Sequence, residues 1–289
     1  MRQLNSLILN LKYKYMPRIA NCMCKMATYT ASRELRRKRI RILADVTIFQ
    51  HAVTHETAWV NTGLKPWGDG HVATGYQART CVHSGNNTNI TYRNITYLPG
   101  IAYLAQKDLL EIYTSAELEA EKHRQPGGRF RGYGYYDFSL LKCINVESVD
   151  GHVFDIITGS LRSDAPSAAE RQKNRINGNR DPQFRGLVEA LGQSNSFDAW
   201  HLLTAERNDC DYYLTMDFRF LETCKAQRNS RPLRKLKAEV VSPEGLAKKF
   251  SILPVNPNIF SYNDASYPVQ TEFHMPGEKR RPLTKYRKS

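Results

Sequence analysis

Short apolar, β-branched runs alternate with helix-forming segments along the middle of this 289-residue chain, and this alternation constrains its fold more than any other feature. Runs of this length are typical of strands and too short for helices. Strands separated by helices pair in parallel, because each crossover returns the chain to the same direction. We therefore predict an α/β fold around a parallel sheet, with strands at Arg39–Asp45, Glu111–Thr114, Asp211–Thr215 and Ala238–Val241.

Helices are predicted where apolar residues follow a helical period and a suitable residue precedes the first turn. Ser115, for example, can cap a helix whose first turn is acidic and therefore complements the helix dipole. The predicted helices are Tyr103–Leu110, Ala116–His123, Phe197 to about Arg207 with Ser196 as cap, Phe218–Ala226, and one that opens at Ser242–Pro243.

Two long segments interrupt the pattern and are interpreted as inserted loop and hairpin segments. The first covers about residues 50–100, and its glycine-rich part, 55–97, is predicted to form loops and a polar hairpin. The second, 125–186, contains a candidate strand pair around Leu140–Ile157. We assign one domain to residues 39–250, a basic extension to residues 1–38, and a Pro-containing basic tail to residues 251–289.

The formal net charge is +14, and the excess lies at the two ends of the chain. Residues 1–44 hold eleven basic residues and one acidic residue, and residues 277–289 hold six and one, so the region between is nearly neutral. Such blocks favour a polyanionic partner, but they are equally typical of solvated tails. Residues 1–33 also resemble a mitochondrial presequence, and Met26 is an alternative start.

Several classes of protein and site are excluded by the sequence. No apolar run approaches the roughly 20 residues that span a bilayer, so we predict no membrane partner. The 6 cysteines form no C-x-x-C pair and the histidines have no finger spacing, which argues against a structural zinc site. Free thiols favour a cytoplasmic location. Neither a P-loop nor a serine nucleophile elbow is present.

Four acidic residues occupy places where a parallel sheet presents ligand-binding groups. Asp45 ends the first strand, Glu121 lies on the helix after the second, and Asp198 and Asp217 flank the third. Because the carboxyl ends of parallel strands meet at one edge, these carboxylates are expected to converge. Their oxygens suit Mg²⁺ or Mn²⁺, which polarise phosphoryl groups and activate water. Taken singly, each acid is equally well interpreted as a cap, a turn residue or a solvated helix residue.

The segments around these acids resemble the PIN-domain family of metal-dependent ribonucleases. That family shows an apolar strand ending in Asp, a Ser followed six residues later by Glu, a helix that opens with Asp-Ala, and a strand followed by T-x-D-x-x-F. The corresponding segments here are ILADVTIF, TSAELEAE with Ser115 and Glu121, FDAWHLLTAERNDCDYYLTMDFRFL with Asp198 and Thr215-x-Asp217-x-x-Phe220, and AEVVSPEGL.

The resemblance implies a Rossmann-like parallel sheet and a Mg²⁺ or Mn²⁺ site formed by Asp45, Glu121, Asp198 and Asp217. It also implies endonucleolytic hydrolysis of RNA, with single strands preferred, and a toxin or defence role with an antitoxin-like protein partner and a homodimer as candidate assembly. The chain departs from the family in having Thr47 where Asn is common, and in its long insertions.

Candidate substrate-binding residues are hydroxyls and guanidinium groups near the acids or interleaved with aromatic residues, where bases could stack. They are Thr47, Arg219, Arg129 and Arg131, together with Thr215, which the resemblance places near the phosphate or a metal-bound water. For the two arginines of the second insertion, a surface loop is an alternative interpretation. His201, one turn beyond Asp198, is interpreted as structural. Two other functions stay open: a non-catalytic RNA- or DNA-binding module that uses the basic ends, and a protein-interaction partner of an acidic peptide.

Overall fold

A five-stranded sheet forms the centre of the structure, which is a computed structural model that describes residues 2–81, 88–124, 139–141, 144–150, 167–260 and 267–269. Apolar, β-branched segments supply its strands, as the sequence predicts. In chain order the described strands are β1 (Ile40–Ala44), β2 (His55–Trp67), β3 (Gly70–Cys81), β4 (Leu110–Thr114), β5 (Val146–Ser148), β6 (Tyr212–Leu214), β7 (Glu239–Val241) and β8 (Tyr267–Val269).

Helices occupy most of the remaining described chain. They are α1 (Arg2–Ala27), α2 (Tyr29–Leu35), α3 (Val46–His51), α4 (Ile90–Ile95), α5 (Leu98–Gln106), α6 (Ala116–Arg124), α7 (Ala168–Asn177), α8 (Pro182–Leu191), α9 (Ser196–Arg207), α10 (Phe218–Ala226), α11 (Arg231–Arg234) and α12 (Pro243–Lys249). Among the described residues, no helix combines the length and the apolar character needed to cross a membrane.

The central sheet has the order β5-β4-β1-β6-β7, and all of its neighbouring strands are parallel. From β1 the chain moves outward to β4 and β5, then crosses to the other side of β1 and continues through β6 and β7. The strand order therefore reverses between β1 and β6, and ligands of open α/β sheets bind beyond the carboxyl ends of the strands at such a point. The prediction of an α/β fold with a parallel sheet flanked by helices is confirmed.

Strand β1 is central, and its residues are buried for that reason. Ile42 pairs with Ile112 of β4 on one side and with Tyr212 of β6 on the other. Ile42 and Leu43 are fully buried, although their side chains point to opposite faces, so both faces of the sheet are covered. This burial explains why the first strand is a nearly continuous apolar run.

A separate three-stranded sheet is built largely from the first insertion. Strands β2 and β3 pair antiparallel across the two residues Gly68 and Asp69, and β8 pairs with the other edge of β3. Gly68 has a φ of +60°, which glycine adopts without strain at the first position of a tight hairpin turn. The predicted polar hairpin is thus present, and its strands are longer than the prediction of loops for this segment implies. Residues 90–95, also predicted as loop, form helix α4.

The boundaries of three helices differ from the predicted ones, although α6 differs only in ending one residue later, at Arg124. The helix predicted at Tyr103–Leu110 is α5, which ends at Gln106; Asp108 then adopts a φ of +55° before β4 begins. Its start is earlier because Pro99 stands in the first turn, where a missing N–H costs nothing. Helix α9 begins at Ser196 itself, so the predicted cap at that residue is wrong. Asn195 occupies the cap position, but its side chain donates to the Leu191 carbonyl and does not cap the helix.

The described part of the second insertion contains helices that its polar composition does not predict. Helix α7 begins with a capping box, in which Ser167 and Glu170 each bond the other's backbone N–H. Helix α8 begins with Asp181 as cap and proline in its first turn. Strand β5 pairs in parallel with β4, whereas the predicted partner around residues 151–157 lies outside the described residues.

Parts of both chain ends pack against the domain. Ala20, Cys24 and Ala27 of α1 are buried, which differs from the predicted solvated extension. Ile252 and Val255 are also buried, and the Leu253 N–H donates to the Ala27 carbonyl over 2.9 Å. Residues 251–260, which the sequence assigns to a Pro-containing basic tail, therefore pack against the domain, because apolar residues among the prolines reach the core.

Candidate functional site

The candidate site lies where the strand order reverses, at the carboxyl ends of β1 and β6. Asp45 directly follows β1, and its backbone N–H donates to the Leu214 carbonyl of β6 over 2.9 Å. Asp217 comes three residues after the end of β6 and caps α10 by accepting the N–H groups of Arg219 and Phe220 at 2.9 and 3.0 Å. Parallel pairing therefore brings together two acids that are far apart in the sequence.

Two threonine hydroxyls link the Asp45 carboxylate by hydrogen bonds to the backbone that follows β6. The hydroxyls of Thr47 and Thr215 both donate to Asp45 Oδ2, at 2.5 and 2.7 Å. In turn, the Thr47 hydroxyl accepts the Met216 N–H and the Thr215 hydroxyl accepts the Asp217 N–H. Since a hydroxyl has one proton, these threonines orient Asp45 and cannot also donate to a substrate in this arrangement.

Asp198 lies in the first turn of α9, close to the other carboxylates. Burial and then the negative charge of Asp45 raise the pKa of Asp198 to about 7; Asp217 and Glu121 act in the same direction, and His201 opposes them. A carboxylate that serves as a helix cap would have a lowered pKa, because the N–H groups stabilise its charge. The raised pKa of Asp198 instead reflects burial first and the neighbouring carboxylates second.

Helix α6 presents three glutamates in different environments, and this separates the candidate from its neighbours. Glu117 forms a two-bond ion pair with Arg175, with both N···O distances at 3.0 Å, and Glu119 pairs with Lys122. Glu121 Oε1, by contrast, lies 2.8 Å from the Gln172 amide nitrogen and 3.1 Å from His201 Nε2. The structure thus brings Glu121, of the three, into the depression beside Asp45.

Two buried polar side chains lie beneath the acids. His201 is 1% exposed, and its Nδ1 has no hydrogen-bond partner among the described residues. Burial alone would lower its pKa, but the nearby carboxylates, Glu121 first, outweigh burial and raise it. The hydroxyl of Tyr213 is also fully buried and lies near Asp45; burial first, and then the charges of Asp45, Asp198 and Glu121, raise its pKa well above the ordinary value.

These elements enclose an open depression of about 470 Å³. Its charged lining consists of the four predicted acids and His201, so the region is acidic although the chain as a whole is basic. Helix α7 of the second insertion supplies one wall through Ala169, and Gln50 and Phe197 complete it. A second depression of similar volume adjoins Ser196, at the start of the helix that carries Asp198.

The donor chemistry fits a hard divalent cation. Carboxylate oxygens are the preferred ligands of Mg²⁺ and Mn²⁺, and a cation would relieve the repulsion that raises the pKa of Asp198. As the side chains stand, no three His, Cys, Asp or Glu residues of the described ranges come close enough to hold an ion together. Mg²⁺ does not need such a cage, because it keeps several waters and takes one or two protein carboxylates.

The other predicted site residues have different outcomes. Thr47 and Thr215 lie at the site in the positioning role described above. Arg219 is exposed on α10 and contributes its backbone N–H to Asp217. Arg129 and Arg131 lie outside the described residues. Sequence reasoning missed Gln172, for which the local sequence carries no signal, and it interpreted His201 as structural although one helical turn separates it from Asp198.

Comparison of the chain with models of protein families, with curated proteins and with solved structures finds no match.

Proposed function

We propose that this protein is a PIN-like, metal-dependent nuclease that hydrolyses RNA phosphodiester bonds. The observation that carries the proposal is the convergence of Asp45, Glu121, Asp198 and Asp217 at the point where the strand order of a parallel sheet reverses. Structural carboxylates normally pair with basic residues, as Glu117 does with Arg175. Placing four acids in one depression raises the electrostatic energy, which a divalent cation would lower.

The chain's own residues would divide the work as follows. One or two of Asp45, Asp198 and Asp217 would hold the cation directly, and the remaining carboxylates, Glu121 among them, would accept hydrogen bonds from its bound waters. The two threonine hydroxyls would keep Asp45 in one orientation. When bound, Mg²⁺ or Mn²⁺ supplies charge stabilisation at the phosphoryl group and activates water as the nucleophile.

The test is cleavage of labelled single-stranded RNA by the full chain, with Mn²⁺ or with EDTA. Asp198→Asn removes one carboxylate while preserving shape, and Asp209→Asn is its matched control. Asp209 is exposed in the turn two residues beyond the end of the same helix and has a φ of +52°, which asparagine tolerates. We expect Mn²⁺-dependent cleavage by wild type and the control, and a loss of about a hundredfold or more in Asp198→Asn.

Two results would overturn the proposal. One is folded wild type without Mn²⁺-dependent cleavage, which would favour the non-catalytic nucleic-acid-binding module. The other is equal cleavage by wild type and Asp198→Asn, which would assign the activity to a different site or to a contaminant. Circular dichroism of all three samples distinguishes loss of the site from loss of the fold.

A further inference from the structure

Helix α1 presents an apolar stripe to solvent. Leu11, Tyr15, Ile19 and Met23 follow one another at intervals of four, so each is turned about 40° from the last. These four residues are 39–47% exposed, and Met26, 71% exposed, returns to the middle of the same face. We call these five residues the α1 stripe. Single exposed apolar residues are ordinary on a protein surface, but an aligned row along several turns indicates a docking surface.

The opposite face of α1 already has its partner. Cys24 and Ala27 are buried and pack with Tyr103 of α5 and with Val255, and Ala20 on the same face of α1 is also buried. These small residues let the helix lie close against the domain. The packing therefore holds the α1 stripe outward, and the helix cannot roll to bury the stripe without exposing the face that is now packed.

The charges of α1 indicate what kind of surface it meets. The helix contains five Lys or Arg residues and no acidic residue. Among them, Lys14, Arg18 and Lys25 are exposed. On an ideal helix these three side chains lie along one border of the α1 stripe. An apolar face with a basic flank is the pattern of helices that lie in the interface of an anionic membrane.

Other occupants fit these charges less well. A second copy of the chain would bring a matching apolar row but the same basic border, and α1 has no acid with which to pair it. Residues 277–289 of this chain carry six basic residues and one acidic residue, so they are repelled in the same way. The phosphates of a nucleic acid would pair with the basic border, but they would leave the apolar side chains of the α1 stripe exposed to water.

We propose that α1 docks this protein on an anionic lipid surface, with the α1 stripe inserted at the boundary between headgroups and acyl chains. The helix lies on the bilayer and does not cross it, in agreement with the absence of a membrane-crossing helix among the described residues. This inference differs from the sequence-based prediction of no membrane partner, and it is independent of the proposed nuclease activity. The inference rests on the exposed apolar side chains of α1 and on its basic residues. A helix with one apolar face and a basic flank lies on a membrane, whereas a helix that spans a membrane is apolar all round.

The experiment is cosedimentation of the full chain with phosphatidylcholine vesicles, with and without phosphatidylglycerol. We expect strong partition onto the anionic vesicles, weak partition onto the neutral ones, and loss of binding at high salt. Ile19→Glu should lower the partition about tenfold or more, because it puts a charge in the stripe. Lys14→Gln should lower it about fivefold. Leu253→Glu is the matched control, since Leu253 is 61% exposed and outside α1.

The proposal is overturned by absence of binding, by equal binding to both kinds of vesicle, or by unchanged binding of Ile19→Glu. It is also overturned if light scattering shows a wild-type dimer that Ile19→Glu dissociates, because the stripe would then belong to a second copy. A loss of RNA affinity in Ile19→Glu with vesicle binding intact would assign α1 to nucleic acid instead.

Discussion

Asp198 offers the most direct test of the acidic cluster, because its charge can be removed with little change in shape. Its carboxylate lies among Asp45, Asp217 and Glu121, and burial together with these charges raises its pKa from 3.8 to about 7. Asp198→Asn replaces the carboxylate by a neutral amide of similar size. Without a divalent cation, we expect this variant to be more stable than wild type at alkaline pH.

The sign of this effect follows from proton linkage. The pKa of Asp198 is higher in the folded protein than in the unfolded chain. The contribution of this carboxyl group to the free energy of unfolding is therefore fully present below pH 3.8 and is lost as the pH rises through about 7. Each pKa unit corresponds to about 1.4 kcal/mol. Ionising Asp198 above pH 7 therefore lowers the free energy of unfolding by about 4 kcal/mol. Because the amide is also desolvated, we expect Asp198→Asn to gain about 2 to 4 kcal/mol over wild type at pH 8 and little near pH 4.

The measurement is the free energy of unfolding in urea, followed by circular dichroism in EDTA between pH 4 and pH 8. Asp209→Asn again serves as the control, because Asp209 is exposed and its replacement should leave the pH dependence of wild type unchanged. If Asp198→Asn and wild type show the same pH dependence, Asp198 does not carry the repulsion, and the electrostatic reasoning for the cluster fails.

Three further outcomes are expected. Mn²⁺ at a hundredfold excess over its dissociation constant should stabilise wild type by about 3 kcal/mol in thermal melting and the Asp198→Asn variant by clearly less; equal shifts would contradict a site at the cluster. Gln172→Ala should lower the free energy of unfolding by about 1 to 3 kcal/mol, because Gln172 is fully buried and donates to Glu121; an unchanged urea midpoint would contradict that role. Gly100→Ala should cost about 1 to 3 kcal/mol, since an added Cβ would lie 2.8 Å from Ile252 Cγ2, whereas Gly186→Ala, with its nearest atom at 3.8 Å, should be neutral or stabilising in the same urea titration.

Local pattern was sufficient for the central sheet and for part of the site. Strands β1 and β6 are largely apolar and are followed by acids, so their existence and the place of Asp45 and Asp217 could be predicted from the sequence. The start of α7 could also have been predicted from the sequence, because Ser167 and Glu170 have the spacing of a capping box. It was missed because the helix is polar overall and only a few of its residues, such as Gln172, are buried.

The surroundings of Glu121 could not be predicted in this way. Gln172 and His201 lie 51 and 80 residues away from it along the chain, and only the packing of α6, α7 and α9 brings them to one carboxylate oxygen. The spacing from Ser115 favoured Glu121 over its neighbours. The physical distinction is that Glu117 is neutralised by an arginine, and that partner is supplied by the fold.

By itself, the sequence determined the α/β class, the parallel strands and the acids that follow β1 and β6, because these follow from apolar periodicity and from the direction of each crossover. Only the tertiary structure decided that β1 and β6 are neighbours, that Asp198 is buried among other carboxylates, and which face of α1 is packed. Helix α1 has apolar residues on two faces, and periodicity cannot tell them apart. Which face of α1 is buried depends on which one fits against Tyr103 of α5 and Val255. These two residues come together only in the folded protein.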